Sequence, residues 1–250
     1  MKHLSSLSNR LVSPSLVVAG LALAPFAFAQ TAPSASTAAS AVAAPSASAS
    51  APALPALTAA EVATKMQTAY TAITTYDADF EQTYTMKSFG GVKTQKGKVY
   101  FEKPGKMRWE YAEPKDKVVV SDGTTLWSYD PADKLARKMA VKDGQEPTAL
   151  AFLTGKGDLQ KDFNLEIMPP ATSKYPTGYT LKATPKTATS LYTFVLFYID
   201  ATKFHVQRVL IVDGQDNRNR FDFKGANVNA KYAASQFTWT PPAGVTVTTN

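Results

Sequence analysis

Few side chains in this chain could do bond-breaking chemistry. One histidine lies beyond the first residues, His205, and no Gly-x-Ser-x-Gly accompanies it to supply an activated serine. There is no cysteine, which removes a disulfide, a thiolate metal site and a thiol nucleophile together. No phosphate-binding glycine loop occurs, and no His or Cys cluster has metal-ligand spacing. Asp213, Asp216 and Asp222 suggest calcium at first sight, but Gly214, Asn217 and Asn219 beside them fit a hairpin turn better. Asp122 is a carboxylate that a glycan or lipid hydrolase could use. It is also half of Asp122-Gly123, the commonest hairpin signal. The chemistry on offer is therefore burial of apolar surface, with no cofactor and no metal expected.

The large apolar residues are arranged for that. Between Lys96 and Pro131 the chain reads as short strands separated by Lys103-Pro104-Gly105, Glu113-Pro114-Lys115-Asp116 and Asp122-Gly123. Met107, Trp109 and Tyr111 alternate with Arg108 and Glu110; Val99 and Phe101 alternate with Lys98, Tyr100 and Glu102. Phe221 and Phe223 alternate with Arg220, Asp222 and Lys224. A sheet with one wet and one aromatic face must cover the aromatic face.

The predicted elements are one helix followed by a run of strands. Thr58 and Glu61 form a capping box, and Val62, Met66, Ala69, Tyr70 and Ile73 recur at helical spacing. Strands are predicted over 79–86, 95–102, 106–112, 117–121, 125–129, 135–141, 164–168, 179–183, 191–199, 206–212, 218–228 and 236–239. A short buried helix is predicted over Glu146–Thr154, opened by Pro147 and stopped by Gly155. The fold class is mainly β (α+β): an antiparallel sheet that curls toward a barrel, with an N-terminal helix and short helices that cover its apolar face incompletely and leave an apolar cavity or cleft.

The N-terminal segments read differently. Lys2, His3 and Arg10, an apolar run to Phe26 and Ala27-Phe28-Ala29 form a secretory signal over residues 1–29. Pro14 and Pro25 interrupt that run, which argues against a membrane span. Residues 30–56 are rich in Ala, Ser and Pro and are expected to form a disordered tether; 57–250 is the folded domain. The formal charge of +7 is spread along the chain without a dense run, so nucleic acid is not an expected partner.

Three blocks carry a resemblance. Lys103-Pro104 with Arg108-Trp109-Glu110-Tyr111, Val120 to Pro131, and Phe237 to Val245 occur in an order and spacing that resembles the LolA-type periplasmic carriers of outer-membrane lipoproteins. The likeness runs from about Leu57 to Val247. It implies a monomeric, non-enzymatic periplasmic protein that holds acyl chains between a half-barrel and its lid. The implied partners are triacylated lipoproteins, an inner-membrane ABC-type extractor that loads them, and an outer-membrane acceptor if one is present. The implied acyl-chain lining is Met66, Tyr70 and Ile73 from the first helix, Leu150, Ala151 and Phe152 from the Pro147 segment, and Phe80, Met107 and Trp109 from the sheet. Family members latch the lid with an arginine before the Pro of the first block. Here the residue is Lys103, a single-point donor instead of a planar fork. Two other readings stand beside the carrier: a half-barrel module that senses lipid or misfolded peptide in the envelope, and a hydrolase of envelope lipid or glycan that uses Asp122.

Overall fold

A computed structural model of the chain describes residues 54–88, 90–141 and 157–249. Helix α1, Ala59–Thr71, starts where the capping box places it. The Glu61 amide donates to Thr58 Oγ1 at 3.2 Å, and the Thr58 amide donates to the Glu61 carboxylate at 2.8 Å. These two bonds satisfy donors that a helix start leaves unpaired. Its buried face is Val62, Ala63, Met66 and Tyr70.

Among the described residues twelve strands make one sheet. Six come first: β1 Thr75–Thr85, β2 Val92–Glu102, β3 Lys106–Tyr111, β4 Val118–Asp122, β5 Thr125–Asp130 and β6 Leu135–Ala140. After them come β7 Phe163–Met168, β8 Gly178–Pro185, β9 Phe194–Asp200, β10 Val206–Val212, β11 Arg218–Val228 and β12 Thr246–Thr249. The spatial order is β12-β6-β5-β4-β3-β2-β1-β11-β10-β9-β8-β7, so β7 and β12 remain as separate edges and the sheet does not close. All ladders are antiparallel except β12 on β6, which is parallel. This is the mainly β, antiparallel sheet that the strand rhythm predicts, and its open edges make the unclosed antiparallel β-barrel, or half-barrel, that the resemblance implies. Two one-turn helices, α2 (Leu159–Asp162) and α3 (Pro170–Ser173), flank β7.

The inner face carries the core. Phe80, Val99, Phe101, Met107, Trp109, Phe221 and Phe223 share one buried cluster with Val62, Met66 and Tyr70 of α1. Period-2 alternation puts these residues on one side and Lys98, Arg108, Glu110 and Asp222 on the other. α1 packs against β7, β8 and α2.

One expectation is corrected. The strand predicted over 236–239 is a 3₁₀ turn, Ala234–Phe237, and the last strand is Thr246–Thr249. The reason lies on the outer face. Phe237 is buried there, and the Arg108 guanidinium donates to the carbonyls of Gln236 (3.4 Å) and Thr238 (3.2 Å). Those carbonyls thus find a side-chain donor instead of a neighbouring strand. Beside this turn, Trp239 and Val245 pack on a second cluster of Val118, Val120, Tyr129 and Ala136, so β4–β6 are apolar on their outer face as well. The helix predicted over 146–154 lies outside the described residues.

Candidate functional site

The inner face is an aromatic lattice. Trp109 meets Phe80 with ring centroids 5.0 Å apart, Phe221 at 5.3 Å, Phe101 at 5.9 Å and Phe223 at 6.3 Å, most of them edge to face. Phe80 also meets Tyr111 edge-on at 5.2 Å. Such pairs add about 0.5–1.5 kcal/mol each beyond their area. The lattice is possible because Gly97 sits between them: a Cβ there would lie 1.9 Å from the Glu110 carbonyl oxygen and 2.8 Å from the Phe80 ring. Without a side chain at 97, β3 comes close and the Phe80 ring covers the vacancy.

The structure brings six of the expected lining residues into one buried cluster. Met66, Tyr70, Ile73, Phe80, Met107 and Trp109 are all buried there. Ile73 lies just past the helix end, with its amide on the Tyr70 carbonyl at 3.1 Å. Leu150, Ala151 and Phe152 lie outside the described residues. Sequence reasoning did not pick out Val119 and Leu126, which are half-buried on the same side and pack against the cluster's edge. Their signal was available: Val119 stands opposite Trp109 in the β3–β4 register, and Leu126 stands opposite Ser121, itself paired with Met107.

The Tyr70 end of α1 is held at two points. Lys103 Nζ donates to the carbonyls of Tyr70 and Thr71, the latter at 3.5 Å. Both carbonyls lie at the helix's negative end, where a cation is favoured; the Tyr70 carbonyl also accepts the Ile73 amide. Partial burial holds the Lys103 pKa below the usual lysine value. The Tyr70 hydroxyl accepts from the Val206 amide at 3.0 Å, and complete burial pushes its pKa well above the usual tyrosine value.

The carboxylates offered as catalytic or metal-binding candidates are occupied by turns and arginines. Asp122 Oδ1 accepts from the Thr124 and Thr125 amides at 2.8 and 2.7 Å and from the Thr124 hydroxyl at 2.7 Å. Partial burial pushes its pKa up, but these bonds outweigh it and the net shift is downward. A general acid needs the opposite shift. Asp213 Oδ1 accepts from the Gln215 and Asn217 amides, both at 2.9 Å, as its hairpin turn requires. Asp222 lies 2.5 Å from Arg208 Nε and 2.8 Å from Arg220 Nε. Among the described residues no group of three or more His, Cys, Asp or Glu is placed to hold a metal ion.

Comparison with known proteins follows the same line. Residues 71–240 match the family model described as outer membrane lipoprotein carrier protein LolA. The chain is 36% identical over 180 residues to an outer-membrane lipoprotein carrier protein of Nitrosospira multiformis, covering 69% of this chain and 81% of that one. It is 31% identical over 177 residues to one from Nitrosomonas europaea, covering 69% and 82%. Among solved structures it is similar to a LolA superfamily protein from Nitrosomonas europaea, with a TM-score of 0.42 and 10% identity over 74% of this chain and 99% of that one. On the family match and these identities, the chain belongs to the LolA family of outer membrane lipoprotein carrier proteins.

Proposed function

We propose that this protein is a periplasmic carrier that takes up the acyl chains of lipoproteins released from the inner membrane and delivers them to the outer membrane. The observation that carries the reading is one aromatic inner face closed by a helix whose end is tied down mainly by polar contacts, in a chain of the carrier family. Each exposed methylene of an acyl chain costs about 0.8 kcal/mol in water, so a triacylated protein needs an apolar host to cross an aqueous space. Met66, Tyr70, Ile73, Phe80, Met107 and Trp109 supply that host surface, and Val119 and Leu126 extend it. Leu150, Ala151 and Phe152 belong to the same proposed acyl-chain lining. The lining residues are packed on one another here, so loading requires α1 and the sheet to part. Lys103 is the latch, and breaking its bonds to the helix end is the step that a partner must drive. Residues 1–29 direct export, residues 30–56 tether the domain, and the inner-membrane partner is an ATP-driven extractor. The protein is monomeric, breaks no covalent bond and needs no cofactor.

The test is release. Spheroplasts that display a newly made triacylated lipoprotein are incubated with the secreted chain. The expected outcome is a soluble one-to-one complex. Lipoprotein that stays in the membrane, with the extractor present and the protein folded, overturns the reading. The hydrolase alternative predicts cleaved lipid or glycan in the same assay, abolished by Asp122→Asn.

A further inference from the structure

The sheet contains a split. β10 and β11 pair from Val212↔Arg218 to Arg208↔Asp222 and no further. Beyond that point β11 continues on β1 as far as Val228, while Val206 stays with β9. A bulge flanks the split on each side. One extra residue enters β10 at Gln207 against β9. Another enters β11 between Lys224 and Asn227 against β1, where Gly225 has φ +62, in the left-handed region. A bulge bends its strand and increases its twist, so two of them on facing strands drive these strands apart. The Val206 amide is satisfied by the Tyr70 hydroxyl.

The split holds a cavity of about 520 Å³. Buried Tyr76, Val206 and Phe223 line it, and the rim includes Lys203, His205 and Lys224. Neither Lys203 nor Lys224 forms an ion pair within 4 Å among the described residues, where Lys224 stands opposite Asp79 across the ladder. The remaining acid, Asp200, accepts from the Thr202 and Lys203 amides at 2.9 and 2.7 Å and so closes the β9–β10 turn. An apolar floor with a rim of cations is the complement of one ligand class.

We propose that the β10–β11 split is a binding site for an anionic amphiphile, its phosphate or carboxylate head on Lys203, Lys224 and His205 and its first methylenes on Tyr76, Val206 and Phe223. Lys103 does not line the site, which shares Phe223 with the aromatic inner face and Val206 with the second tie on Tyr70, and the proposal does not depend on the carrier reading. It would let the protein hold a single acidic lipid while its main inner face stays closed.

His205 reports on occupancy. Burial and then Lys203 hold its imidazole below the ordinary histidine value, with Asp200 opposing them. The Tyr70 ring lies 5.8 Å from it, and Tyr70 and Tyr76 stay neutral in this range because burial raises both. An anion bound at the rim favours the charged imidazole. The experiment follows the His205 ring proton by NMR through a pH titration of the secreted chain, with the resonance assigned by His205→Gln. Dodecyl phosphate and dodecanoate are the probes, with inorganic phosphate and dodecanol as controls. The expected result is a midpoint raised by about one pH unit by at least one anionic probe. The ligand-induced rise should vanish in Lys203→Ala/Lys224→Ala, whose urea midpoint stays near that of the parent because both lysines are exposed. A rise with one probe alone identifies the head group as phosphate or carboxylate. An unmoved midpoint with both probes overturns the proposal, as does an equal rise with inorganic phosphate at the same concentration, or a rise that survives in the double variant.

Discussion

At the scale of single residues, Lys103 is where the sequence and the fold meet most directly. One ammonium donates to the Tyr70 and Thr71 carbonyls at the negative end of α1, reached from the turn between β2 and β3. Lys103→Ala should destabilise the protein by about 1 kcal/mol, since a charge-assisted bond is lost from a partly solvated place; urea unfolding measures it. Lys103→Arg should restore the loss. His205 gives a prediction with a sign. Its folded pKa lies below its unfolded value of about 6.5, so the unfolded chain takes up the proton first as pH falls. Its contribution is therefore fully present above 6.5 and is lost as pH drops through 6.5 toward the folded value. His205→Gln should show a smaller fall in urea midpoint between pH 7 and pH 5.5 than the parent. The site residues that alternation could reveal, Trp109 and Met107, were legible because strand period and size point the same way. Val119 and Leu126 were not singled out because each stands in a strand whose two faces are both apolar, as Val118, Val120 and Trp127 show. The alternation that marks an inward face is absent there.

At the scale of elements, the helix start and the first eleven strands followed from capping, alternation and turn residues. The C-terminal region did not. Phe237 and Trp239 look like alternating strand residues, yet they cover the outer face of β3–β5 as a strap. Period 2 tells which residues are large and apolar, not whether a ladder partner is free. β12 escaped notice because Thr246–Thr249 is short and exposed on both faces. Gly97 is the element-scale weak point. Gly97→Ala sets a Cβ against the backbone of β3 and the Phe80 ring together, so β2 and β3 must separate. A loss of about 1–3 kcal/mol is expected, read as a lower urea midpoint and a changed Trp109 fluorescence. Leu126→Gln makes the complementary prediction. On its half-exposed perch it should cost under about 1 kcal/mol of stability and still weaken acyl-chain binding, measured by displacement of a fluorescent fatty acid.

At the scale of the whole molecule, twelve strands fall into two sequential meanders, β1–β6 and β7–β11, and one long ladder between β1 and β11 joins them. β12 then crosses back to lie on β6. That order was not legible from strand rhythm, which fixes neighbours along the chain but is blind to which distant strands pair. Timing during synthesis is a consequence. A chain made from its N-terminus completes β1–β6 while β1, the most aromatic flank of that meander, still has a row of unpaired amides and carbonyls. Its partner arrives only when Arg218–Val228 emerges. Until then the half-made sheet is a template for the wrong strand, and another copy of the same chain is the nearest supply. The newborn protein thus depends on being kept unfolded, or alone, until almost its last residues are made.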